Sequence, residues 1–256
     1  SELLDVVFNF NFGSIKEFSA QRIFDELQSM EKNMSNYPTL FFGSHDMPRL
    51  LSRLAKNNLE RAETLAALML TAKGVPFIYY GEEIGMENIE ANSLDEMMDI
   101  QGLTHYYLAL DKGVSKTEAL KKGNEYNRDK SRSPMQWDTT QYAGYSDREP
   151  WMKVHQNYKN LNVEDLEKDK NSLLQNYKKI IALRNSELAL QYGEYTELSF
   201  LNECIVFTRV YKGDIIKCYF NFGENALDVT LNKNENALLG ELIIKSNNYL
   251  IVKIIK

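Results

Sequence analysis

Apolar residues fall into short unbroken runs separated by stretches with helical spacing. Residues 3–10 (LLDVVFNF), 39–42 (TLFF) and 75–80 (VPFIYY) each predict a strand buried on both faces. Between the first two, residues 19–33 place Ile23, Phe24, Leu27 and Met30 on one helical face, with Ser19 as the cap. Between the last two, residues 59–72 consist largely of Ala, Leu, Met and Arg, strong helix formers, and Lys73-Gly74 ends them. Pro76 sits at the start of its strand, where a missing N–H is tolerated. Strand, helix, strand, helix, strand over residues 1–80 predicts parallel βαβ units. The polar residues cluster just past the strand ends, where such folds build their active sites.

The pattern then breaks. Residues 81–165 are polar and irregular, with helical stretches expected near 93–100 and 116–124, and a loop this long is usually one that builds a binding site. Residues 169–185 are helical again. From Tyr192 the period becomes two, with a hairpin of residues 204–211 and 215–222 around Lys212-Gly213 and further short strands at 238–239, 241–244 and 249–255. Residues 192–256 therefore read as a small all-β domain after an α/β portion, 1–191.

The chain of 256 residues has 36 acidic and 30 basic side chains, a formal charge of −6, and is 43% hydrophobic. That composition excludes a wholly disordered chain. The acidic balance argues against a nucleic-acid partner, and no run approaches the roughly 20 apolar residues of a membrane helix. Cys204 in a simple hairpin faces about Asn221, not Cys218, so two buried thiols are expected, which suits a reducing cytoplasm. His45, His105 and His155 are far apart and no zinc-ligand spacing occurs, so no metal site is expected. No glycine-rich phosphate loop is present, so no nucleotide cofactor is expected either. The opening SELLD lacks both a methionine and a signal-peptide pattern, and reads as the edge of a piece cut from a longer protein.

Four segments, in order, carry a resemblance: residues 39–49 (TLFFGSHDMPR), 74–86 (GVPFIYYGEEIGM), 128–138 (RDKSRSPMQWD), and 143–146 (AGYS) with Pro150-Trp151. Together they closely resemble the α-amylase family of glycoside hydrolases, the last two pointing to its α-glucosidase branch. The resemblance implies a (β/α)8 TIM barrel followed by a small β-domain. Only three barrel strands are present, resembling strands six to eight, so the chain is expected to be a C-terminal half. The family's nucleophile and acid/base would then lie before Ser1, and the chain alone is expected to be inactive, with an open half-barrel prone to self-association.

Residue by residue, Asp46 matches the family's third catalytic carboxylate, which binds the 2-OH and 3-OH of the sugar. Such bonds strengthen as positive charge develops on the ring. His45 matches the histidine that hydrogen-bonds the same sugar. Arg132 matches the arginine that closes the pocket around the terminal glucose, and Arg128 a second arginine near it. Arg49 is expected to pair structurally, Glu82 and Glu83 to support a strand end, and Trp137, Tyr145 and Trp151 to serve packing in preference to sugar contact. Ser44, Met47, Asn11 and Tyr80 depart from the branch's usual residues. The resemblance implies a retaining α-glucosidase acting without cofactor on short α-linked oligosaccharides. The alternatives are a trehalose-6-phosphate hydrolase or trehalose synthase-like enzyme, or a non-catalytic relative.

Overall fold

The structure is a computed structural model that describes residues 6–34 and 37–255. The chain divides into two compact units. One comprises Ser1–Phe42, Asn58–Phe77 and Gln175–Lys256, the other Gly43–Asn57 and Ile78–Leu174.

In the first unit, strand β1 (Thr39–Leu40) runs parallel to β2 (Val75–Pro76). The pairing is donated by Val75 N to the Pro38 carbonyl at 2.8 Å and by Phe77 N to the Leu40 carbonyl at 2.7 Å. Pro76 lies between the two donors, at a position where a parallel ladder asks for no N–H. Gly74, at φ +152°, is required here: a Cβ would lie 2.6 Å from the Pro38 carbonyl oxygen.

The helix Ala20–Asn33 begins where Ser19 accepts a bond from Arg22 N, and buries Ile23, Leu27 and Met30. The helix Leu59–Thr71 is capped by Asn58 and is buried along nearly its whole length after the first turn. At its C-terminal end the guanidinium of Arg184, from the helix Leu173–Ser186, donates to the carbonyls of Leu70 (2.7 Å) and Gly74 (2.8 Å). Burial lowers the Arg184 guanidinium to about 10. A positive charge there completes carbonyls that the helix itself cannot satisfy.

The remainder of the unit is an antiparallel sheet of β3 (Glu194–Leu201), β4 (Cys204–Tyr211), β5 (Asp214–Asn221), β7 (Glu235–Gly240) and β9 (Asn248–Ile254), in the order β3-β4-β5-β9-β7. A separate short pair joins β6 (Leu227–Asp228) to β8 (Ile243–Ile244). Cys204 lies opposite Asn221, the register expected of the hairpin, and both cysteines are free and buried. Ile205 and Phe207 on β4 and Ile216, Cys218 and Phe220 on β5 form the inner face. The next inward position on β4 is Arg209, fully buried, which donates to the carbonyls of Gly193 and Thr71, both at 2.8 Å.

Several expectations are corrected. Of the strand expected over 3–10, residues 3–5 lie outside the described residues, Val6–Asn9 form no strand, and Phe10–Gly13 form a helical turn. The Thr39 hydroxyl takes the place of a ladder, donating to Val7 O and accepting from Asn9 N. Among the described residues one parallel pair stands where three barrel strands were expected, and both its strands are two residues long. Arg209 ties the sheet to the helix Leu59–Thr71, and both lie in the first unit. Among the described residues, no helix is long and apolar enough to cross a membrane.

Residues 81–165, expected as an irregular insertion, make up most of the second unit. The helices Ile100–Asp111 and Lys116–Tyr126 pack through Tyr106, Ala109 and Ala119. Glycines at 102 and 123 let them meet Met97 and Asn127 closely. A second cluster gathers Ile84, Met86, Met135 and Leu174 against Val163 and Leu166.

Candidate active site

The segment after Gly43 carries Asp46 on a turn in which Ser44 Oγ accepts from Asp46 N at 3.2 Å. Ser44, a departure from the branch's usual residue, thus fixes the turn by a common local bond. The turn is anchored further along by Arg49, which is 3% exposed. Its guanidinium donates to the Tyr80 carbonyl (2.8 Å) and to Ser133, and lies over the Tyr80 ring at 4.9 Å. Arg49 is therefore turned into the protein. Beneath the turn lies Glu82, whose Oε2 would be 2.3 Å from a Cβ on Gly43. Burial pushes the Glu82 carboxyl up to about 8, and neither oxygen finds a well-formed hydrogen bond.

Asp46 and two arginines from residues 128–132 converge. Arg128 Nη1 and Arg132 Nη2 both reach Asp46 Oδ1, each at 3.1 Å. His45 Nε2 lies 3.3 Å from Oδ2, and Arg132 Nε donates to the His45 carbonyl at 2.8 Å. All four residues singled out in the sequence come together, with half of the Asp46 side chain open to solvent.

Two residues missed in the sequence hold the arginines. Asp99 is buried and grips Arg128 at 2.5 Å from Nη2, 3.1 Å from Nε and 3.0 Å from its main-chain N. Burial raises its carboxyl, but the Arg128 hydrogen bonds outweigh this and hold it below the usual range. Asp129 accepts from the main-chain N–H groups of Met98 and Asp99 and faces Arg132 Nη1 at 3.5 Å. Asp129 was findable, since it lies inside the 128–132 motif. Asp99 was not, because no spacing links it to Arg128.

Three carboxylates against two guanidiniums leave the cluster net negative, with Asp46 the outermost of the three. Such an arrangement favours positive charge developing beside it. Next to Arg132 opens a groove of about 410 Å³, lined by Trp137, Tyr145 and Trp151. These aromatics were expected to be packing residues, yet they are 49%, 52% and 73% exposed. Among the described residues no group of three His, Cys, Asp or Glu could hold a metal ion.

The model of the α-amylase catalytic domain matches residues 5–193. The chain belongs to the α-amylase family. Its relatives lie in the α-glucosidase branch. The oligo-1,6-glucosidase of Halalkalibacterium halodurans is 37% identical over 188 residues, covering 72% of this chain and 34% of that enzyme. That of Bacillus cereus is 31% identical over 242 residues, covering 92% and 43%. Among solved structures of the α-amylase family fold, isomaltulose synthase from Klebsiella sp. LX3 superposes with a TM-score of 0.85 at 27% identity, covering 98% of this chain and 51% of that one. The chain spans between a third and a half of these two curated relatives' length.

Proposed function

We propose that this chain is the C-terminal part of a retaining α-glucosidase that removes terminal α-linked glucose from short oligosaccharides, with no cofactor. In this reading Asp46 binds the ring hydroxyls of the glucose in the transition state. His45 and Arg132 contact the same sugar, and Arg128 holds Asp46 in place. The observation that carries the reading is the meeting of Asp46, Arg128 and Arg132 at one carboxylate oxygen. A retaining glycosidase needs a nucleophile and an acid roughly 5 Å apart. Asp99 and Asp129 are both buried and committed to guanidinium or main-chain donors, so neither is free to attack an anomeric carbon or protonate a leaving oxygen. This supports a catalytic pair supplied by other parts of a longer protein, with residues 1–256 alone inactive. The oligo-1,6-glucosidases among the relatives favour an α-1,6 linkage, and the buried thiols fit a cytoplasmic enzyme.

The test compares the full-length protein with residues 1–256 on isomaltose and p-nitrophenyl α-glucoside. Turnover is expected only from the full-length protein. There, Asp46→Asn should lower kcat by about 100-fold or more while KM moves only a few-fold. A loss confined to KM overturns the role of Asp46, and turnover by residues 1–256 alone overturns the division of the active site.

A further inference from the structure

We propose that Asp99 is a positioning residue for the reaction: by occupying two of the three nitrogens of Arg128, it keeps Oδ2 of Asp46 open to a sugar hydroxyl. This rests on the glucosidase reading above and assigns a task to a residue that touches no substrate.

A guanidinium and a carboxylate free of other partners pair side by side, two nitrogens to two oxygens. Arg128 does not meet Asp46 in that way. Its Nη1 reaches Oδ1 at 3.1 Å, while Asp99 holds its Nη2 at 2.5 Å and its Nε at 3.1 Å. Arg132 is divided likewise. Its Nε donates to the His45 carbonyl at 2.8 Å, and its Nη1 faces Asp129 at 3.5 Å and Asp99 at 3.9 Å. Only Nη2 is left for Asp46 Oδ1. Two cations thus converge on one oxygen, and among the described residues Oδ2 meets only His45, at 3.3 Å.

The placement of Asp99 points the same way. It stands at the N-cap of the helix Ile100–Asp111, where a carboxylate ordinarily accepts a main-chain N–H of the first turn. Its side chain forgoes that bond and turns to Arg128, accepting from the main-chain N as well, at 3.0 Å. Asp129 fixes the segment by accepting from Met98 N at 2.9 Å and Asp99 N at 2.8 Å. The Asp99 carboxylate is buried, whereas that of Asp46 is half exposed. Burying a charge is costly, and Asp46 alone could neutralise Arg128. A buried competitor for the same arginine has its use in the geometry it imposes. Released from Asp99, Arg128 would fork both oxygens of Asp46 and close the acceptor that the sugar needs.

The test uses the full-length protein. Asp99→Asn keeps an oxygen for the main-chain N–H of Arg128 but sets an amide NH2 against its guanidinium, releasing the arginine. On isomaltose, kcat should fall about tenfold or more while KM moves less than about threefold. A kcat within about twofold of wild type, or a loss confined to KM, overturns the proposal. Adding Asp99→Asn to Arg128→Met should lower kcat by no more than about a further twofold, because no guanidinium remains to be released. The same loss in both backgrounds, as a merely structural role would give, overturns it too. A crystal structure of Asp99→Asn should show Arg128 bonded to both oxygens of Asp46, and an Arg128 still on Oδ1 alone refutes the mechanism. Asp99→Ser, which also keeps an acceptor for that N–H, is read in the same way should the Asn variant not fold. A wild-type protein that cleaves no α-glucoside defeats the glucosidase reading, and the variant's structure still judges Asp99 on its own.

Discussion

Asp46 divides its two oxygens unequally, Oδ1 to two guanidiniums and Oδ2 to His45 alone. The oxygen beside the histidine is thus the less occupied one. Glu82 beneath the turn acts on stability in a pH-dependent way. Its folded carboxyl is raised to about 8, so between its ordinary value and that pH the folded chain keeps a proton that the unfolded chain has lost. Stability from this group is present at low pH and falls as pH rises, by at most about 5 kcal/mol, each pH unit being worth about 1.4. Denaturant midpoints at pH 5 and pH 8.5 should therefore separate wild type from Glu82→Gln, with the variant losing less on going to the higher pH. Identical pH slopes reject the buried, protonated Glu82. At this scale the sequence singled out His45, Asp46, Arg128 and Arg132, which the structure brings together, because each sits in a contiguous motif. Asp99 escaped because its role exists only through the approach of two distant segments.

At the scale of elements, the end of the helix Leu59–Thr71 depends on cations brought from elsewhere. Arg184→Met leaves the carbonyls of Leu70 and Gly74 without their donors, and should cost about 2–4 kcal/mol in urea unfolding. Arg184→Lys should recover only part of this, since a single ammonium cannot reproduce two fixed donor directions. A loss below about 0.5 kcal/mol would show that water replaces the guanidinium. The same helix was legible from its run of strong helix formers, and the 204–221 hairpin from its period of two, with the turn at Lys212-Gly213 setting the register. The helix Ile100–Asp111 was not legible. Ile100, Tyr107 and Leu108 are exposed while Tyr106 and Ala109 are buried, so its apolar residues mark no single face. The run at residues 3–10 misled for the opposite reason: apolar and β-prone, it nevertheless leaves Val7, Phe8 and Phe10 about half exposed.

For the whole molecule, that exposure is the main liability. Phe8 packs edge-on to Phe41 and lies 4.9 Å from Phe77, while β1 and β2 have no further strand beside them among the described residues. An apolar surface next to unpaired strand edges invites association. Sedimentation of residues 1–256 should show oligomers that grow with concentration and diminish in the double variant Phe8→Ser, Phe10→Ser. A monomer at all concentrations would mean these rings are covered within the chain.

The carbonyl of Thr71 and its donor Arg209 stand 138 residues apart. On a ribosome adding about 5–20 residues per second, that carbonyl is made on the order of ten seconds before its partner. For that interval the helix Leu59–Thr71 has an apolar circumference and an unfinished end. Synonymous codon changes that slow synthesis between residues 71 and 209 would lengthen this window without altering a single contact of the finished protein.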